Sequence, residues 1–286
     1  MGLFNQNYNK PGKGVRKDEP EKKGAALYWE LFARKWRSYL LLNILYAITC
    51  IPALLFYFFI VAGLMPGDNL AEEISLATMI AGFMVIFFAG SPFKSGFIYV
   101  LRNFVRQQHA WTVGDFLEKT RKNFGQSLIA FFVDLLVSTC FLFAIKFYLT
   151  VSVTGVWMSI LLGIVIVVMV MYAMMQSFIW CMMVTFELKL WTIYKNSFLL
   201  SMATIPVNII SIVIRIAMAA AIFVSTIVAY ISLAVFFLSA SGLLEQMLAY
   251  PTIKKFMLTK TEEEALDNEN SLDDIEWDNS TEGQND

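Results

Sequence analysis

The chain is poor in the residues that build metal and redox sites: it has one histidine and three cysteines among 286 residues. Cys50, Cys140 and Cys181 lie inside apolar stretches without C-x-x-C spacing, so we interpret all three as buried hydrophobic residues. His109 stands in a polar stretch without a second histidine or cysteine at ligand spacing. The sequence therefore predicts no disulfide, no metal site and no bound cofactor.

Charged residues are also scarce, at 16% of the chain, whereas 58% of the residues are hydrophobic. The apolar residues gather into blocks that are too long for a soluble fold of this size to cover. A helix needs about 20 mostly apolar residues to cross the hydrocarbon core of a bilayer. The blocks therefore predict an all-α, polytopic transmembrane helical bundle whose first partner is the lipid bilayer.

Six stretches reach the length of a span, namely residues 40–64, 74–93, 126–149, 156–185, 205–226 and 229–249. The last two come from one apolar run that would be about 70 Å long as a single helix, so two crossings are required. We expect the turn between them near residues 225–232. Proline removes a helical hydrogen bond, which makes Pro52, Pro92 and Pro206 candidate kink positions.

Polar segments surround and interrupt this membrane domain, which we assign to residues 24–258. Residues 1–23 predict a flexible basic tail, and residues 259–286 predict a disordered acidic tail. Between residues 25 and 39, aromatic side chains recur at three- and four-residue steps, which predicts an interfacial amphipathic helix. Residues 94–125 are expected to form a cytoplasmic loop, with a turn at 112–115 between two short helices.

The basic residues predict the orientation of the chain. Lysine and arginine are retained on the cytoplasmic side of membranes, and nearly all of them fall in the two ends and the loops that share a side with the N-terminus. The sequence therefore predicts a multi-pass protein of the cell membrane with both termini in the cytoplasm. The same rule accounts for the basic loops without a nucleic-acid partner.

Motifs of common active sites are missing from the sequence. It contains no Walker A motif, no H-E-x-x-H and no G-x-S-x-G. A membrane aspartyl enzyme needs two intramembrane carboxylates, and Asp134 is the only one deep in a predicted span. The methionines between residues 169 and 183 have no Cys/His cluster beside them, so we interpret them as flexible packing. We expect the protein not to be an enzyme.

Several runs of residues carry a family resemblance. They are W-E-L-F-A-R-K-W at 29–36, L-L-L-N-I-L-Y at 40–46, I-P at 51–52, the long run S-P-F-K-S-G-F-I-Y-V-L-R-N-F-V-R-Q-Q-H-A-W-T-V-G-D-F at 91–116, and K-N-F-G-Q-S at 122–127. In these runs the sequence resembles the YesL-like family of bacterial membrane proteins, over most of residues 27–258. The resemblance implies a multi-pass membrane domain of unknown function, found mainly in Gram-positive bacteria and often encoded beside carbohydrate-uptake genes. It implies no catalytic residue.

Two charges inside predicted spans form the candidate site. Asp134 in the third span and Arg215 in the fifth both fall in the inner half of the bilayer, where a charge costs at least about 2.5 kcal/mol. We expect the two to face the bundle interior and to neutralise each other. The alternative is that Arg215 extends to the headgroups while Asp134 is protonated or bonded to a hydroxyl.

Two functions are compatible with these features. The first is a non-enzymatic accessory or regulatory protein near carbohydrate uptake, with a carbohydrate ABC transporter or related membrane complex as its partner, as the resemblance implies. The second is a small transporter or channel that uses Asp134 and Arg215. A direct ion pair between them would be mainly structural, whereas separated charges beside a water-filled cavity would favour transport.

Overall fold

The computed structural model describes residues 22, 24–64, 90–150, 156–222 and 232–258. Within these ranges the chain forms helices joined by short turns and contains no β-strand, which confirms the all-α fold. The helices are α1 (Ala25–Arg34), α2 (Trp36–Leu64), α3 (Lys94–Val105), α4 (Thr112–Thr150), α5 (Val156–Met183), α6 (Leu190–Ala203), α7 (Ile205–Ile222) and α8 (Leu238–Met257). A one-turn π-helix, Leu233–Phe237, leads directly into α8.

Three helices contain segments that are long and apolar enough to cross a membrane: Trp36–Phe56, Thr112–Ile145 and Val156–Met183. The bent pair α6–α7 gives a fourth segment if it is counted as one span. The six predicted spans are therefore not confirmed. Most of the predicted second span and most of the predicted last turn lie outside the described residues, as do the tails 1–21 and 259–286.

The amphipathic helix is shorter than the sequence predicts. It ends at Arg34, Lys35 leaves the helical conformation, and α2 begins at Trp36 rather than at residue 40. Tyr39 therefore belongs to the first long helix, where it is fully buried. The hydroxyl of Tyr28 donates a 3.1 Å hydrogen bond to the carbonyl of Ala240, which fixes α1 against α8.

The segment expected to form a cytoplasmic loop with two short helices contains the most completely enclosed helix of the described chain. All residues of α3 from Lys94 to Phe104 are buried, and this helix packs against α2, α4, α5 and α8. Gly96 permits the close approach of α4, because a Cβ atom at this position would lie 2.1 Å from the carbonyl oxygen of Phe116. At this position the packing needs glycine because any side chain would meet backbone.

The turn in this segment also differs in position. It occupies residues 106–111, after which α4 runs without a break to Thr150. The carboxylate of Asp115, in the first helical turn, accepts a 3.1 Å hydrogen bond from the backbone N–H of Trp111. A carboxylate in the first turn is favourable because the N-terminal end of a helix is electropositive.

The three prolines occupy different structural positions. Pro52 lies inside α2, and Pro92 lies in the turn that precedes α3. Pro206 is the second residue of α7, where a missing backbone N–H costs nothing because the first turn has no helical acceptor for it. The chain bends by 93° between α6 and α7, at Thr204.

The start of α8 is held by a polar residue of the first long helix. The backbone N–H of Ser239 donates a 2.8 Å hydrogen bond to Oδ1 of the fully buried Asn43. The apolar core of the bundle includes side chains of α2, α3, α5 and α8; among them are Leu42, Ile98, Leu101, Trp180 and Leu243. Asn43 therefore connects two helices in the centre of the bundle.

Candidate functional site

Four of the five charged side chains that are buried in the described chain come from four different helices and form the candidate site. Lys94 begins α3, Asp134 lies in α4, Arg215 in α7 and Glu245 in α8, and their exposed fractions are 6%, 0%, 4% and 7%. Two of the four, Lys94 and Glu245, were not expected from the sequence. Buried charges in a membrane protein are costly and lie mostly at functional positions.

The structure gives Arg215 and Asp134 separate partners instead of the predicted direct pair. Nη1 of Arg215 lies 2.9 Å from Oε2 of Glu245, thirty residues further along the chain. Both side chains of this ion pair are almost fully buried. The prediction that Arg215 and Asp134 are buried in the bundle agrees with the structure, but Glu245 is the carboxylate that neutralises the arginine.

Asp134 is held by one face of α5. Its Oδ1 accepts a short hydrogen bond from the hydroxyl of Tyr172 and a 2.7 Å bond from Nε2 of Gln176. Nε1 of Trp180 donates to Oε1 of Gln176 at 2.9 Å. Nζ of Lys94 lies 3.5 Å from the same oxygen and 5.0 Å from the centre of the Trp180 ring. Gln176 therefore bridges the buried lysine and the buried aspartate.

The hydrogen-bonding face of α5 has a signal in the sequence. Tyr172, Gln176 and Trp180 follow at four-residue steps, and residues four apart lie on one face of a helix. Their polar groups stand out in an otherwise apolar stretch. The same reasoning applies to Glu245 and Gln246, two polar residues inside the predicted sixth span.

A cavity of about 50 Å³ lies beside the ion pair. Its walls include Tyr46, Lys94, Phe97, Arg215, Gly242 and Glu245. Within the described chain, Oε1 of Glu245 has no hydrogen-bond partner, and the same holds for Oδ2 of Asp134 and both amide atoms of Gln246. Buried polar atoms in native proteins are paired with protein or water. The cavity therefore has both the space and, in Oε1 of Glu245, an open acceptor for a water molecule.

The cysteines and the histidine do not line this cavity. Cys50 and Cys181 are buried as expected, but Cys140 is exposed on α4, which corrects the interpretation of all three as buried. His109 is exposed, with its ring 5.3 Å from that of Trp111. Over the described ranges, no three His, Cys, Asp or Glu side chains are grouped closely enough to hold a metal ion.

Lys35 connects the break after α1 to the turn after α3. Its Nζ donates a 3.0 Å hydrogen bond to the carbonyl of Gln108 and lies 4.4 Å from the centre of the Phe104 ring. Burial, and secondarily the charge of Arg34, lowers the pKa of Lys35. The backbone oxygen and the aromatic face compensate part of the lost hydration of the ammonium group.

Comparison with known proteins gives no relative for this chain: no family model, no curated protein and no solved structure matches it.

Proposed function

We propose that this protein is a small transporter or channel of the cell membrane, in which the buried charges form the path or binding site of a proton or another small cation. One observation carries the proposal: Lys94, Asp134, Arg215 and Glu245 come from four helices and are buried, and a cavity lies beside three of them, Lys94, Arg215 and Glu245. Intramembrane ionisable residues that face a bundle interior or a cavity are typical of proton and ion pathways.

The separation of Asp134 from Arg215 supports transport over a purely structural role. A direct pair would satisfy both charges, whereas Oδ2 of Asp134 and Oε1 of Glu245 retain acceptor capacity within the described residues. Protonation of Glu245 would remove the charge that neutralises Arg215. Proton entry would therefore loosen α8 from α7, which is one way to couple a proton to a change in helix packing.

Reconstitution tests this proposal directly. The full chain is inserted into liposomes that contain a pH-sensitive dye, and proton flux is followed under an imposed membrane potential. We expect flux above that of protein-free liposomes, and at least about a tenfold loss in Glu245→Gln and Asp134→Asn, because each change removes a buried proton acceptor.

The matched control for these variants is Glu187→Gln, since the Glu187 side chain is 89% exposed and lies outside the cavity. This variant should retain the wild-type flux. Circular dichroism and size-exclusion chromatography establish that each variant is folded. The absence of flux in folded wild-type protein, for protons and for monovalent cations, would contradict the proposal.

The resemblance to the YesL-like family supports a second candidate, an accessory or regulatory component of carbohydrate uptake. The cavity beside the ion pair, at about 50 Å³, holds water or a small ion but not a sugar. In this second candidate the partner is a carbohydrate ABC transporter or a related membrane complex. Co-purification from cells grown on the relevant sugar tests this candidate, and recovery of the intact protein without any transporter component would count against it.

The proposed location is the cell membrane, with several crossings and both termini in the cytoplasm. Support comes from the three apolar helices and from the basic residues that precede the apolar parts of α2 and α4 and follow α5. A single cysteine at Lys195, on a background without the three native cysteines, tests the orientation. A label that cannot cross the membrane should fail to react with it in intact cells without walls, and reaction would overturn this orientation.

A further inference from the structure

A second, larger cavity lies away from the buried ion pair, where α3 and α4 meet the connection from α5 to α6. Its volume is about 600 Å³, which is within the range of sites for small molecules. Residues 183–189 form one wall, and α4 forms another from Lys119 to Gln126. The walls carry four basic side chains, Arg102, Lys119, Lys122 and Lys189, but only one acidic side chain, Glu187.

Arg102 distinguishes this cavity from an exposed basic patch, because its charged side chain is buried. Its exposed fraction is 2%. Nη1 donates to the carbonyl of Val184 at 2.7 Å and to the hydroxyl of Thr185 at 3.1 Å, and Nη2 donates to Oδ1 of Asn103 at 3.2 Å. All three acceptors are neutral, and Nε has no hydrogen-bond partner among the described residues.

The buried charge of Arg102 therefore lacks a counter-ion within the part of the chain that the structure describes. A buried guanidinium is costly unless an anion compensates it. Burial, and then the neighbouring Arg106, lowers the pKa of Arg102, which agrees with an uncompensated charge. The carbonyls at the end of α5 offset part of this charge through the helix dipole, but they supply only partial negative charge.

A second cation of the cavity, Lys122, is available at little cost. Lys122 contacts Glu187 at 3.4 Å, and both side chains are largely exposed, at 56% and 89%. Exposed ion pairs of this kind contribute at most about 1 kcal/mol, so a ligand with a higher charge can replace them. Lys122 can therefore turn from Glu187 towards an anion in the cavity.

We infer that this cavity binds a phosphate group that carries an organic substituent, either the headgroup of an anionic phospholipid or a soluble phosphomonoester. A phosphate supplies the negative charge that Arg102 lacks, and guanidinium groups bind phosphate oxygens with favourable geometry. The cavity exceeds the volume of a phosphate alone, which leaves room for the substituent. The site lies on the side that the sequence predicts to be cytoplasmic, where basic pockets between helices bind lipid headgroups.

The experiment uses the full-length protein, purified in a neutral detergent at constant ionic strength. One arm measures binding of inorganic phosphate and glycerol 3-phosphate by calorimetry. The other arm compares thermal stability in nanodiscs of phosphatidylcholine with and without phosphatidylglycerol, and identifies retained phospholipid by native mass spectrometry. A response in the first arm indicates a soluble ligand, and a response confined to the second indicates a lipid headgroup.

Two variants and a matched control determine whether the response comes from this cavity. We expect Arg102→Gln to abolish binding, and Lys122→Gln to weaken it about tenfold through the loss of one charge-assisted contact. Arg121→Gln makes the same change of charge at the adjacent position of α4, which is exposed but outside the cavity. It should bind like the wild type, and because Lys122 is on the surface, its variant remains informative if Arg102→Gln does not fold.

Absence of a response in both arms would overturn the inference and leave Arg102 as a cap for the end of α5. Equal weakening by Lys122→Gln and Arg121→Gln would also overturn it, since general surface charge would then explain the binding.

Discussion

Helix α3 and the first half of α5 show opposite relations between polarity and burial. α3 contains Lys94, Arg102 and Asn103, yet all of its residues from Lys94 to Phe104 are buried. α5 is among the most apolar helices, but only 11% of its most apolar window is buried in the protein, and its buried residues begin at Ala173. Between Val156 and Val168 it exposes large apolar side chains such as Trp157, Leu161 and Ile164.

This difference is explained by lipid, rather than water, as the solvent around the long apolar helices. Lipid tails are as apolar as leucine, so apolar side chains gain little from leaving lipid for the protein interior. Polar side chains, in contrast, have partners only inside the bundle. In this protein strong hydropathy therefore marks the surface, and polar residues such as Gln176 and Glu245 mark the interior.

The largest effect should come from removal of a buried charge in the polar interior. Glu245→Ala leaves Arg215 without the carboxylate at 2.9 Å, and breaking a buried ion pair costs about 4 kcal/mol. The double change with Arg215→Met should recover much of this loss, because neither charge then remains unpaired. Unfolding by SDS in mixed micelles measures both variants.

The control for this prediction is Glu187→Ala, which removes an exposed carboxylate and should change stability by less than about 1 kcal/mol. If the double variant lost the sum of the stability that Glu245→Ala and Arg215→Met lose separately, Glu245 and Arg215 would not be coupled in the membrane-embedded protein.

The same Leu→Ala substitution in each helix tests the contrast between α3 and α5. Leu101 of α3 is fully buried, whereas Leu161 of α5 is 46% exposed. Leu101→Ala should cost about 3 kcal/mol because it leaves a cavity in the core. Leu161→Ala should cost less than about 1 kcal/mol because lipid fills the space. Similar losses for the two variants in the same SDS assay would contradict the proposed lipid exposure of α5.

A Gly→Ala substitution in each helix tests the same contrast by adding a methyl group. Gly96→Ala should destabilise the protein by about 2 kcal/mol, because the new Cβ atom would lie 2.1 Å from the backbone oxygen of Phe116. Gly163→Ala in α5 has no atom within 4 Å of the new Cβ, and alanine is the better helix former. It should leave stability unchanged or raise it, and an equal loss in both variants would show that α5 also packs closely against protein.

The sequence predicts the helical fold because its apolar blocks have the length of membrane spans, and this inference needs no tertiary information. It does not predict the role of α3. The polar residues of that helix, placed next to basic turns, have the pattern of a cytoplasmic loop. Its burial depends in part on contacts with α5 and α8, which are distant along the chain. Hydropathy describes each segment alone and therefore cannot detect enclosure by other segments.

The candidate site was predicted in part. Asp134 and Arg215 were found because a charge inside an apolar stretch stands out in the sequence. Their partners were not found, since Glu245 lies near the end of a predicted span and Gln176 is uncharged. The pairing depends on how α7 meets α8 and how α4 meets α5, and no local pattern specifies those contacts.

The smallest effect should come from a change at Tyr28 in α1, which lies outside the long apolar helices. It tests whether the polar groups of α1 also find their partners inside the bundle. The Tyr28 hydroxyl donates a hydrogen bond to the carbonyl of Ala240 in α8, so Tyr28→Phe should cost about 1 kcal/mol of folding stability near neutral pH.

This contribution should depend on pH. Burial raises the pKa of Tyr28 to about 12, whereas an unfolded tyrosine has a pKa of about 10. The neutral hydroxyl is thus favoured by folding, and this contribution is complete below about pH 10 and lost as the pH rises towards about 12. The stability difference between wild type and Tyr28→Phe should therefore be constant from about pH 6 to about pH 9 and shrink above about pH 10. Thermal unfolding followed by intrinsic fluorescence measures this profile, and a difference that grew above about pH 10 would mean that the hydroxyl is not buried against α8.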